Sequence, residues 1–140
     1  LTLMINVFNF LVMANVFDLL GRIFISALFL ISAYNKILNI DGSIGWMESF
    51  GVPGLLLYPA ILIEIILPIF IIIGYKARAS AAILATFCIL TAFMFHLDFS
   101  NQTQLISFLK NIGLAGGFLF ITAHGTKDWS VDKEKKYVRL

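Results

Sequence analysis

The chain has 140 residues, of which 60% are hydrophobic and only 13% charged, with a mean hydropathy of +0.95. That is too little charge to cover a soluble domain, so lipid is the expected solvent, and the length allows one small domain. The net charge of +2 says little as a sum, and the single cysteine, Cys88, can form neither an internal disulfide nor a CxxC redox pair.

The opening stretch, LTLMINVFNFLVMAN, is apolar but lacks the basic region and small-residue cleavage site of a signal peptide. A single helix from Leu3 to Ile37 would be about 50 Å long, more than one crossing requires. Residues 1–15 are therefore read as an interfacial helix or as an extension leading into the first span. Met13 would make a natural start, so the element could be dispensable. Four segments then offer the about 20 mostly apolar residues that a crossing needs. They are residues 16–37, 54–74, 77–97 and 104–123. Backbone groups in hydrocarbon must be paired within each segment. The predicted fold is therefore all-α, a transmembrane four-helix bundle over residues 16–125.

Between the first two spans, Asp41 to Pro53 is too polar to cross the membrane and too apolar for a free loop. Ile44, Trp46, Met47 and Phe50 predict a short interfacial helix that could cover the outer mouth of the bundle. The turn GYKAR is so short that the second and third spans must be antiparallel neighbours. Ala77, Ala81 and Ala85 on the third span, and the GxxxG pair Gly113 and Gly117 on the fourth, predict faces on which helices pack closely.

Lys and Arg placement sets the expected orientation. One side receives Lys76 and Arg78 together with the basic tail, residues 126–140, which carries Lys127, Lys133, Lys135, Lys136 and Arg139. The connections on the other side, ILNIDGSIGWMESFGVPG and LDFSNQTQ, hold neither residue type. Both termini should then be cytoplasmic, with the tail a solvated face that is also drawn to lipid headgroups.

The polar residues inside the spans need a reason to be there, because a central Arg, Lys or Asp costs about 2.5–3.5 kcal/mol to insert. Glu64 is the only charge in the second span, four residues before Pro68, where a kink is expected. Depth counting puts Glu64 about 15 Å and Lys110 about 10 Å from the outer end. Asp18 and Arg22 share a helical face. The favoured ion pairs are Glu64 with Lys110 and Asp18 with Arg22, with Glu64–Arg22 left open. Lys36 and His96 close their spans, and Gln104, Ser107 and Asn111 form a polar stripe on the fourth. Glu64, Lys110, His96, Asn111 and Lys36 thus converge on a candidate ligand pocket in the outer leaflet. No metal-binding cluster, P-loop or dinucleotide fingerprint is present, and nucleic acid is not an expected partner.

These residues resemble the DoxX family of small four-helix membrane proteins. The likeness runs from about Leu20 to Gly125 and includes GRIFISALFLISAYNK, GVPG, the lone Glu64, GYKARASAA, FMFHLDF and FLKNIGLAGGFLF. One departure is Ala33, where the family pattern usually has Gly. The resemblance places the family's recurrent polar positions on Arg22, Lys36, Glu64, Arg78, His96, Lys110 and Asn111. It implies a bacterial inner-membrane protein, since the family is named for a membrane component of a thiosulfate:quinone oxidoreductase. The leading expectation is an accessory subunit of a quinone-linked redox system, with quinone as bound ligand or substrate and redox partner subunits. Lys110, Asn111 and His96 would supply hydrogen-bond donors and Glu64 a proton. The alternatives are a structural or assembly subunit whose buried pair fixes helix register, and a small-solute transporter using the same pocket.

Overall fold

Residues 2–20 contain neither Gly nor Pro, so nothing in them interrupts a helix. The structure, a computed structural model, describes residues 1–132 and shows a single helix α1, Thr2–Leu38, about 55 Å long. The opening stretch is thus an extension of the first span rather than a separate interfacial helix. Residues 1–13 are exposed on every face, and the first buried residue is Asn15. The bundle therefore engages α1 only from its fourth turn onward.

Asn39 ends α1 and starts α2, Ile40–Ser49. Its φ of −140° breaks the helix, and its side-chain oxygen accepts from the Gly42 N–H at 3.2 Å, as an N-cap should. A single 3₁₀ turn at Gly54–Leu56 leads into α3, Leu57–Ile73, which continues through Pro68. Helix α4 spans Ala77–Phe95 and α5 spans Gln102–His124, the latter capped by the Asn101 side chain on the Thr103 and Gln104 N–H groups. Among the described residues, four helical stretches are long and apolar enough to cross a membrane: α1, Gly54–Ile73, α4 and α5. The short helix expected between the first two spans is α2.

Helix α1 packs along α3 and α4 along α5, and α3 against α4 joins the two pairs. Lipid tails are as apolar as the side chains, so close packing rather than hydrophobic expulsion must hold these helices together. Helix α4 supplies it with a face of small residues: Ala77, Ala81, Ala85, Cys88 and Ala92 are all buried. The GxxxG pair behaves differently. A Cβ on Gly113 would meet nothing, whereas one on Gly117 would come within 2.9 Å of the Ile25 side chain on α1. Only the second glycine serves a close approach, because α5 contacts α1 only deep in the bundle, where Phe29 meets Phe118 edge-on at 5.4 Å.

The end of the bundle with the α3–α4 turn is sealed by the segment after α5. Gly74, in the left-handed region at φ +71°, closes α3 with the Tyr75 N–H donating to the Phe70 carbonyl. The Val131 N–H donates to the Ile73 carbonyl and the Asp132 N–H to that of Gly74. The Asp132 carboxylate in turn accepts from the Ala77 N–H at 3.1 Å, so α4 is capped by a residue 55 positions away. Residues 127–132 thus form a docked strap rather than a freely solvated tail, while Lys133, Lys135, Lys136 and Arg139 lie outside the described residues. A Cβ on Gly74 would sit 2.2 Å from that of Ser130. Gly74→Ala should therefore displace the strap and destabilise the fold by on the order of 1–2 kcal/mol. Limited tryptic digestion should then cleave faster after Lys127; parent-like cleavage would show that the strap is not held at Gly74.

Candidate functional site

Side chains on a helix lean toward its N-terminus. Helix α3 starts at the α2 end of the bundle, so Glu64 leans toward that end; α1 finishes there, so Lys36 leans back toward the bundle centre. The two meet. Lys36 Nζ donates to both Glu64 carboxylate oxygens at 2.8 Å and to Ser32 Oγ, one turn earlier, at 2.7 Å. The Ser32 hydroxyl donates to Glu64 Oε1 at 3.4 Å. Glu64 is buried, whereas Lys36 keeps 28% of its side chain exposed.

This corrects the expected pairing of Glu64 with Lys110, and it also removes the Arg22 alternative. Depth along the membrane allowed Lys110, but α5 packs on α4 rather than on α3. Lys110 is exposed and has no hydrogen-bond or ion-pair partner among the described residues.

Asp18 and Arg22 do pair, at 3.0 Å across one helical turn. Arg22 is only 1% exposed, and sequence gave no sign of its other contacts. Its Nη1 donates to the Ile72 carbonyl at 2.7 Å, an acceptor left over at the C-terminus of α3, and to that of Ile71 at 3.3 Å, which also accepts from the Gly74 N–H. Its Nη2 donates to the Trp129 carbonyl at 2.6 Å. Asp18 and Asn15 complete the clamp by accepting from the Lys127 and Asp128 N–H groups. This network belongs to the strap end of the molecule and lies apart from the pocket candidates.

At the other end the four spans and α2 line a partly open cavity of about 590 Å³. Glu64, Lys36, His96, Lys110 and Asn111 all line it, within walls that are otherwise mainly aliphatic and aromatic. Helix α2 forms one side: Trp46 stacks against Phe95 with ring centroids 4.6 Å apart, and Phe50 packs on both. His96 stands beside Trp46, its Nδ1 2.7 Å from Gln104 Oε1. Gln104, predicted as part of the polar stripe, thus holds His96 and does not itself line the cavity. The size suits a small headgroup with an apolar substituent, and the polar groups offer donors at one side of an apolar space.

Comparison with known proteins fits this architecture. The chain is similar to the inner membrane protein YqjF of Escherichia coli (strain K12), 36% identical over 115 residues, which cover 82% of this chain and 88% of the relative. It is also similar to the inner membrane protein YphA of the same organism, 29% identical over 122 residues covering 82% and 87%. No solved structure gives a significant match. The DoxX family model matches residues 17–97, which takes in Arg22, Lys36, Glu64 and His96 but stops short of α5. With four membrane-spanning helices and a match over more than half its length, the chain is an integral membrane protein that belongs to the DoxX family.

Proposed function

We propose that this protein is an accessory subunit of a quinone-linked redox system in the bacterial inner membrane, and that the cavity receives the quinone headgroup. The observation that carries the reading is the cavity itself: an apolar space at bilayer depth with Lys110, Asn111 and His96 on its walls. Quinone carbonyls need such donors, and the isoprenoid tail needs the apolar remainder. The electron-carrying groups would belong to partner subunits, since the sequence has no flavin, dinucleotide or metal motif. Lys76, Arg78 and Lys127 gather at the strap end and the α2-end connections hold no Lys or Arg after Lys36, which supports a cytoplasmic strap end and a periplasmic α2 end. The two relatives named as inner membrane proteins support the location.

One observation favours a structural role for part of the site. All three Lys36 protons and both Glu64 oxygens are satisfied within the protein, so this pair joins α1 to α3 whether or not a ligand is present. The ligand-facing role then falls to Lys110, Asn111 and His96.

The chain's two tryptophans make the test direct, because Trp46 lines the cavity and Trp129 lies in the strap. Trp129→Phe leaves a single reporter, and it keeps the backbone carbonyl that Arg22 uses. A decyl-substituted benzoquinone should quench Trp46 saturably in neutral detergent. Quenching that stays linear and matches a free tryptophan analogue in the same micelles would remove the quinone reading.

A further inference from the structure

The cavity has an unbalanced set of unused polar groups. Lys36 and Glu64 cancel in charge and satisfy one another with Ser32. Thr91, also on the wall, donates back to the Phe87 and Cys88 carbonyls of its own helix. Among the unused groups are the Lys110 ammonium and the adjacent Asn111 amide, which have no partner among the described residues, and of the unused groups only Lys110 carries a full charge. The ionised groups on the walls therefore leave one uncompensated positive charge, carried by Lys110.

Its place in the fold keeps that charge from being an ordinary surface lysine. Lys110 lies eight residues into α5, or about 12 Å from the start of the helix. The only buried residues of α5 are Ala115 and Phe118, both further in. Toward the α2 end, α5 leans on α4 through Phe108, which meets Phe93 at 5.3 Å and Phe99 at 5.1 Å. None of its residues enters the second core cluster, where Ala33, Met47, Leu57 and Phe95 meet. Lys110 and Asn111 thus stand on a wall of the cavity that α5 does not close against α1, at a depth where a cation needs a counter-charge.

We infer that the cavity binds a membrane-borne amphiphile whose head carries one negative charge on oxygen, held by Lys110 and Asn111. The inference rests on reading the cavity as a ligand site and narrows what that site takes. An ionised ring hydroxyl on a quinone and the carboxylate of a fatty acid share this chemistry. Each is an oxygen anion that accepts charge-assisted hydrogen bonds from an ammonium and an amide, with its apolar part left to the remaining walls.

The Trp129→Phe protein in neutral micelles separates these sources with four probes. They are a decyl-benzoquinone, its ring-hydroxylated form, an ω-bromo fatty acid and the methyl ester of that acid; quinone rings and bromine both quench Trp46. Each probe is compared on the parent reporter and on its Lys110→Gln version, which cancels differences in micelle partitioning. Lys110 is exposed and unpaired, so Lys110→Gln should fold normally, and Lys110→Arg should keep the preference. At least one ionised probe should bind about tenfold more weakly to Lys110→Gln, while its neutral counterpart loses much less, because Gln keeps an N–H donor for a carbonyl but not the charge. The hydroxyquinone alone, or the acid alone, would identify the source. Saturable binding of the neutral quinone, with Lys110→Gln affecting the ionised probes no more than their neutral counterparts, would overturn the anion inference and leave the quinone reading standing. Lys110-dependent binding of the acid with no quinone binding would do the reverse. Absence of saturable quenching by all four probes, in protein shown by circular dichroism to be folded, would overturn both.

Discussion

Replacing Arg22 with Met should destabilise the fold by about 3–5 kcal/mol. The side chain is 1% exposed, and its guanidinium joins three parts of the molecule: its own helix through Asp18, the C-terminus of α3, and the strap at Trp129. Its removal leaves the Asp18 carboxylate without its cation and strips the Ile72 and Trp129 carbonyls of their donor. Arg22→Lys should recover only part of the loss, because one compact ammonium cannot reproduce a planar fork that donates in three directions. Unfolding in detergent followed by circular dichroism gives the stability, and tryptic cleavage after Lys127 reports whether the strap has come free. An Arg22→Met protein that melts with the parent and keeps its strap protected would show that these contacts are dispensable.

The second large effect is asymmetric. Lys36→Met leaves the buried Glu64 carboxylate with only the long Ser32 hydrogen bond, and should also lose about 3–5 kcal/mol. Glu64→Gln should cost less, since the partly exposed Lys36 can swing its ammonium toward the α2 end and water. The double variant, Lys36→Met with Glu64→Gln, should recover much of what Lys36→Met loses, giving a coupling energy between the two sites. Lys110→Met should leave stability near that of the parent. A strong coupling of Glu64 to Lys110, with none to Lys36, would refute the pairing seen in the structure.

The way these two ion pairs were read shows what the sequence carries and what it does not. The four spans are legible because hydrocarbon leaves the backbone one solution, and the α2 segment is legible because its aromatic residues sit between two spans. Asp18–Arg22 is legible because both residues are on one helix, four positions apart. Glu64 is different, since its partner lies on another helix and depth alone does not say which helices are neighbours. A partial signal was available: the lean of side chains toward each helix N-terminus sends Lys36 inward to meet Glu64, although it sends Glu64 and Lys110 the same way and so does not exclude Lys110. Treating Lys36 as a span-ending residue hid it. The GxxxG pair misled for a related reason, because only Gly117 lies where α5 meets α1. The strap left no periodic trace at all. Its contacts are backbone to backbone or to side chains far away in sequence, and only Gly74, where a short turn demands a left-handed residue, hinted at crowding there.

The strap also has a meaning in time. Arg22 is made early, yet the carbonyl that completes its hydrogen bonding comes from Trp129, 107 residues later. Until then the first helix carries a cation that is only partly satisfied, and α4 waits 55 residues for the carboxylate that caps it. A chain that stops before residue 129 has all four helices but an incomplete clamp. The molecule thus holds an internal mark of completion: a nascent copy differs from a finished one by an arginine whose Nη2 still lacks its acceptor.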